Sequence, residues 1–222
     1  PVTQGYLNKP TVVNNVETLS LAAKVLVYGS ERFAQLGTAQ SKGTKLLSIS
    51  GDCDKPGIYE FPFGVTVREV LRACGANETQ AVQISGPAGY CIGEGEFNRK
   101  LCFEDLNTTG SFMVFNRTRD MLAVVQNYAS FFVHESCGFC TPCRVGTSLI
   151  ANLVEKVAKG NGTKADLDEM SNLSKVIKAT SNCGLGLTAT NHIDDTLKKF
   201  PQIYERHLKS ATSVSPDFDL EG

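Results

Sequence analysis

Glu135-Ser136-Cys137-Gly138-Phe139-Cys140-Thr141-Pro142-Cys143-Arg144 is the stretch on which the reading of this chain turns. Apolar residues at helical spacing run up to it and away from it. Met121, Val125, Tyr128 and Phe132 lie upstream and Val145, Leu149, Leu153 and Val157 downstream, each set lining one helix face. The stretch is therefore a loop between two helices. Thr141 is expected as N-cap of the second, with Pro142 at the first helical position, where a missing N–H costs nothing. A third set, Leu167, Met170, Leu173 and Ile177, follows the turn Lys159-Gly160-Asn161-Gly162 and a capping box from Thr163 to Asp166. A fourth helical segment runs from about Thr188 to Leu208. From Ser111 to Leu208 the pattern thus predicts an antiparallel four-helix bundle.

The cysteines carry the chemistry. Of eight in the chain, Cys53, Cys74, Cys91 and Cys102 stand singly among apolar segments and read as small buried hydrophobes. Cys137, Cys140 and Cys143 recur every third residue, too tightly for ordinary disulfide geometry among themselves. Structural zinc would want a second Cys pair elsewhere, and none is present. Three thiols in one loop plus a distant fourth match the way a 4Fe-4S cubane is held, and Cys183 in Ser181-Asn182-Cys183-Gly184 is the natural fourth ligand. Zinc and a redox dithiol stay open on spacing alone. Cys143 is expected in a first helical turn, where the helix dipole lowers a thiolate pKa and favours negative charge. Arg144 beside it is either a solvated surface residue or an electrostatic neighbour of the site. His134, next to the loop, reads as a hydrogen-bonding residue rather than a ligand.

Working outward, the texture from Thr44 to about Phe103 changes to short β-like runs. They are Lys45 to Ile49, Gly57 to Phe61 and Ala81 to Ser85, with a helix from Thr66 to Gly75 between the second and third. Strand-strand-helix-strand order predicts a small β-grasp unit over 44–110, giving an α+β fold with the helical region over 111–209. Gly86 and Gly89 read as turn glycines, since no G-x-G-x-x-G fingerprint occurs in a strand-to-helix context. In the first 43 residues a β-branched run, Thr11-Val12-Val13, stops at Asn14-Asn15, a turn signal, with Glu17 a first-turn acid and helix expected over Ser20 to Tyr28. Residues 210–222 show no apolar period and read as an exposed, mobile tail.

Length and composition bound the rest. The 222 residues carry 22 Lys+Arg against 23 Asp+Glu, a formal charge of −1 that argues against a nucleic-acid-binding tail. No apolar run approaches the roughly 18 residues that span a bilayer, so no direct membrane insertion is expected. The first residues carry no signal-peptide pattern. With Pro1 leading a run that reads as continuing sequence, a fragment of a longer, cytoplasmic chain is expected.

Together these motifs resemble the flavin-bearing subunit of NADH-oxidising complexes, the family of respiratory complex I and of the diaphorase of soluble NAD(P)-linked hydrogenases. The resemblance spans most of the chain and rests on three ordered motifs: Val13 to Leu19, His134 to Arg144, and Cys183-Gly184-Leu185-Gly186. It implies that Asn14, Asn15 and Thr18 contact FMN, that 1–43 closes an FMN/NADH-binding domain, and that 44–110 is ubiquitin-like. It also implies that Cys137, Cys140, Cys143 and Cys183 hold a 4Fe-4S centre. Val145 stands where complex I members place an acid, and Cys183 to Asn191 looks more like the hydrogenase pattern, which favours the diaphorase subunit of a bidirectional NAD-reducing hydrogenase.

By that resemblance the function is conversion of two-electron to one-electron flow, from NAD(H) through FMN to the cluster, within a complex whose other subunits carry further iron–sulfur centres. The family's glycine-rich nucleotide cradle does not occur between Pro1 and Thr11, so a missing N-terminal nucleotide-binding domain is expected to supply it. No residue is expected to be catalytic in a proton-transfer sense. Two rivals are a structural zinc module built on the four cysteines, and a relay without flavin.

Overall fold

The computed structural model describes residues 1–209; the tail expected over 210–222 lies outside them. A short 3-10 turn at Tyr6–Asn8 precedes α1 (Val16–Tyr28) and α2 (Ser30–Ala34). Helix α1 starts four residues before the expected Ser20, because Asn15 caps it: its side-chain oxygen accepts from the N–H groups of Glu17 at 2.8 Å and Thr18 at 3.4 Å. Neither helix contains a buried residue, and Val12, Val13, Val16, Leu26 and Val27 are exposed. This arm is held largely through Glu17, which accepts from the Leu46 N–H at 2.9 Å and pairs with the Lys45 ammonium.

The strand runs appear as β1 (Thr44–Gly51), β2 (Gly57–Pro62) and β3 (Thr79–Ile84), joined by β4 (Tyr90–Gly93) and β5 (Ser111–Asn116). They form one five-stranded sheet in the order β2-β1-β5-β3-β4. Only the β1–β5 pair is parallel, with Ser48 opposite Ser111. The helical reading from Ser111 is thereby corrected. Residues 111–116 alternate with period two: Phe112 and Val114 enter one core, while Met113 and Phe115 face the other. Only a strand places alternate residues on opposite faces, and β5 takes the central position.

Helix α3 (Val67–Ala73) covers the first face, burying Val67, Val70 and Leu71 against Leu47, Ile49, Val82, Ile84, Phe112 and Val114. A Thr66–Glu69 capping box starts it. It ends at Gly75, whose φ of +69° is a left-handed value that glycine adopts without steric cost.

On the other side pack α4 (Met121–Glu135), α5 (Thr141–Ala158), α6 (Lys164–Thr180), α7 (Gly184–Thr188), α8 (Asn191–Lys199) and α9 (Gln202–Glu205). Helix α4 packs on α5, α5 on α6, α6 on α8, and α8 closes back on α4. The fourth helix expected over Thr188 to Leu208 is instead two short ones, α8 and α9, interrupted at Pro201, with α7 ending where that helix is expected to begin. The Thr163–Asp166 capping box opens α6 as expected. On α4 the expected stripe is buried in full, but on α5 it is rotated. Cys143, Gly146, Thr147, Ile150, Val154 and Val157 face the core, whereas Val145 and Leu149 are exposed. Gly146 explains the rotation. A Cβ there would lie 2.5 Å from Ile177 Cγ1, so the bare backbone is what lets α6 approach.

Edge strand β4 is tied to α8. The Cys91 N–H donates to Asp195 at 2.9 Å, Lys199 donates to the Cys91 carbonyl at 2.8 Å, and Asn191 donates to the Ala88 carbonyl at 2.7 Å. These side chains satisfy backbone groups that an edge strand would otherwise leave open. Burial pushes the Cys91 thiol up to about 12, in keeping with a packing role. No helix among the described residues is long and apolar enough to cross a membrane.

Candidate metal centre

The loop between α4 and α5 and the loop between α6 and α7 lie side by side at one end of the helical layer. Ser136 ends α4, its N–H donating to the Phe132 carbonyl at 3.1 Å. The chain then reverses through Gly138, at a φ of +77°, where a left-handed turn suits glycine. Arg144 reaches back from the first turn of α5 and donates to the Gly138 carbonyl at 2.6 Å and the Thr141 hydroxyl at 3.4 Å. Its role is thus visible as a clamp on the loop. The N-cap of α5 is Cys140, with Thr141 first and Pro142 second in the helix, a shift of one residue from the expected Thr141 cap. Pro142 still costs no hydrogen bond there. Cys143 comes third, buried, its carbonyl accepting from the Thr147 hydroxyl at 2.8 Å.

From the other side, Ser181 ends α6 and Cys183 immediately precedes α7. Gly186 marks the closeness of approach: a Cβ there would stand 2.4 Å from Ser181 Cβ and Oγ and 3.4 Å from Cys143 Cβ. The Asn182 N–H donates toward the Cys140 thiol, and this bond, with a second from the Cys143 N–H, holds that thiol below its ordinary pKa. Backbone donors at a sulfur favour the thiolate, the form that binds metal.

The structure therefore brings the two cysteine-bearing loops together. Cys137 and Cys183 are exposed, Cys140 half-buried and Cys143 buried, all four as free thiols. Among the described residues no three His, Cys, Asp or Glu side chains are gathered as a ready metal-ligand set. What fits an iron–sulfur cluster is the donor chemistry and the cradle. Both loops supply thiols, backbone N–H groups face the Cys140 sulfur, and the buried Ser181 Oγ has no hydrogen-bond partner.

Ser136 is a site neighbour that spacing arguments pass over, its Oγ 3.3 Å from Cys143 Sγ. Ser181 is another. The only signal for either is a hydroxyl residue placed at a helix end shortly before a cysteine. His134 stays exposed and lies 3.2 Å from the Glu135 carboxylate.

Asn14, Asn15 and Thr18 sit at the exposed head of α1. Asn14 accepts from the Asn15 N–H at 2.7 Å, and Asn15 spends its carbonyl oxygen on the helix cap. Among the described residues no hydrogen bond joins this segment to the cysteine loops.

Residues 123–207 match the family described as NADH-ubiquinone oxidoreductase-F iron-sulfur binding region. The whole chain is 48% identical to the alpha subunit of the NAD-reducing hydrogenase HoxS of Cupriavidus necator, covering 37% of that protein. It is 38% identical to the F subunit of NADH-quinone oxidoreductase of Aquifex aeolicus, covering 96% of this chain and 51% of the relative. A crystal structure of NAD+-reducing [NiFe]-hydrogenase in the H2-reduced state superposes with a TM-score of 0.86 at 46% identity, covering 94% of this chain and 37% of that one. The chain thus spans between about a third and a half of the length of these relatives. Residues 123–207 are thus similar to the NADH-ubiquinone oxidoreductase-F iron-sulfur binding region, and the chain as a whole is similar to part of the alpha subunit of an NAD-reducing hydrogenase and to part of the F subunit of an NADH-quinone oxidoreductase.

Proposed function

We propose that this chain is the cluster-bearing part of a subunit that passes electrons between NAD(H), through FMN, and a 4Fe-4S cluster, in a hydrogenase that reduces NAD. The observation that carries this reading is the juxtaposition of the Cys137–Cys143 loop with the Cys183 loop. Cys137, Cys140, Cys143 and Cys183 would hold the cluster, and the cluster, when bound, supplies one-electron transfer. Cys140 and Cys143 stand at the positive end of α5, which favours the negative charge a cluster and its thiolates carry. Buried Cys143 and the clamp by Arg144 keep the loop in shape.

Asn14, Asn15 and Thr18 are proposed to border FMN, with 1–43 as the end of an FMN/NADH-binding domain whose remainder is an N-terminal nucleotide-binding unit. The exposed apolar residues of that arm support this assignment. The sheet order β2-β1-β5-β3-β4, with α3 between β2 and β3, supports a ubiquitin-like β-grasp unit. The ring formed by α4, α5, α6 and α8 supports the antiparallel four-helix bundle. Further iron–sulfur subunits are the proposed partners, and the cytoplasm, where thiols stay reduced, is the proposed location.

The test is anaerobic reconstitution with iron and sulfide, metal analysis, and an electron paramagnetic resonance spectrum after dithionite reduction. About four irons per chain with a reduced-cubane signal support the reading. Stoichiometric zinc, with no iron taken up on reconstitution, overturns it in favour of a structural zinc module. For the flavin, replacing Asn14 and Asn15 by Ala in the full-length protein should lower FMN retention while leaving iron content intact.

A further inference from the structure

We propose that Ser136 and Ser181 are positioning residues that aim hydroxyl protons at the sulfurs of Cys143 and Cys140 and thereby raise the reduction potential of the cluster those sulfurs hold. The inference rests on the reading of the four cysteines as cluster ligands. Both serines occupy the same place in the fold. Each is the C-cap of a helix, Ser136 of α4 and Ser181 of α6, and each is fixed by its own N–H, donating to Phe132 at 3.1 Å and to Ile177 at 3.0 Å. Two helix ends thus deliver two hydroxyls to the two cysteines of α5's first turn.

Ser136 Oγ lies 3.3 Å from Cys143 Sγ and also accepts from the Gly138 N–H at 3.4 Å. A metal-bound thiolate has no proton, so only the serine can donate across that contact. The Gly138 N–H fills an acceptor lobe of the hydroxyl and leaves its proton free for sulfur. Cys143 is buried, so water does not compete for the bond. Ser181 Oγ is buried with no hydrogen-bond partner, lies against the Cys140 thiol, and is packed onto the backbone at Gly186, which keeps it from swinging outward. A buried hydroxyl without a partner is destabilising, and a thiolate sulfur is the acceptor at hand.

The sign of the effect follows from charge. Each electron added makes the cluster and its sulfurs more negative, so a dipole with its proton toward sulfur stabilises the reduced state more than the oxidised one. Removing the hydroxyl lowers the potential.

The experiment uses the full-length holoprotein with Ser136→Val, Ser136→Thr and Ser181→Ala, each measured for iron content and by a redox titration followed by electron paramagnetic resonance. Val and Thr share a shape, so that pair separates the hydroxyl from packing. At a potential equal to the parent midpoint, Ser136→Val and Ser181→Ala should each lower the reduced-to-oxidised ratio by about tenfold, equivalent to about 59 mV for one electron. Ser136→Thr should stay near the parent. Unchanged potentials in iron-loaded Ser136→Val and Ser181→Ala overturn the proposal, as does loss of iron from Ser136→Thr and Ser136→Val alike, which would mark packing alone. A parent protein that takes up no iron refutes the cluster reading itself, an outcome distinct from a loaded cluster with unmoved potential.

Discussion

Replacing His192 by Phe should remove one defined component of the acid sensitivity of this fold. His192 lies on α8 with 1% of its surface exposed, stacked on Phe132 at 5.7 Å and 8° and edge-on to Tyr128 at 5.8 Å. Neither ring nitrogen has a hydrogen-bond partner. Burial, with the nearby Lys178 charge adding to it, lowers its pKa from 6.5 to about 3. Above about pH 6.5 the imidazole is neutral in both folded and unfolded chains and stability does not depend on it. Below that pH the unfolded chain takes up a proton that the folded one refuses, so stability falls as pH drops toward about 3. The loss steepens to about 1.4 kcal/mol per pH unit once the unfolded imidazole is fully charged and amounts to roughly 2 kcal/mol between about pH 6.5 and 4.5.

In His192→Phe that increment disappears, while the ring keeps its stacking on Phe132. At about pH 7.5 the variant should be more stable by about 1 kcal/mol, because two buried nitrogens no longer go unpaired. The assay is urea unfolding followed by far-ultraviolet circular dichroism, since the chain has no Trp to report by fluorescence. Parent and variant are compared at each pH between about 7.5 and 4.5, so that the carboxylates and any bound cluster contribute equally to both. A stability difference that stays constant across that range would refute the reasoning.

Cys140→Ala should abolish the visible absorbance of the reconstituted protein and cost several kcal/mol of folding stability, read from the urea midpoint with and without iron. Gly146→Ala places a Cβ about where Ile177 Cγ1 and Cδ1 already stand, at 2.5 and 2.6 Å, and should lower stability by roughly 1–3 kcal/mol through overpacking. Thr163→Ala removes the hydroxyl half of the box that opens α6, and a loss of about 1 kcal/mol in urea unfolding is expected. Asp195→Ala leaves the Cys91 N–H without its acceptor and should cost roughly 1–3 kcal/mol, with faster hydrogen exchange confined first to β4.

Much of the local structure is legible in the sequence because its signals are short-range. Thr163 and Asp166 lie three residues apart, so the capping box is written within one turn. The stripe on α4 follows from a periodicity that any amphipathic helix shows. Sequence and structure part where a local signal meets a distant partner. Gly146 and Thr147 carry little hydrophobic weight, so the face of α5 reads one step around from where it packs. Only the arrival of Ile177 makes a glycine face the better contact. Strand β5 merges into the helical region on sequence alone because its value lies in pairing with β1 and β3, well removed along the chain. The start of α1 reads too late because an Asn pair signals a turn, while the same Asn15 side chain serves equally as a cap.

The donor set itself is a property of the sequence: three thiols within seven residues and a fourth forty residues on determine which atoms are available to a metal, whatever surrounds them. Spacing along a covalent chain constrains nearby atoms directly, and that is why the motif reads without a fold. Which hydroxyls face those sulfurs, which glycine lets α6 and α7 close on α5, and that His192 is stripped of water between two aromatic rings were decided only by tertiary structure. Those placements come from many weak contacts among segments remote in sequence, and no single local pattern encodes their sum.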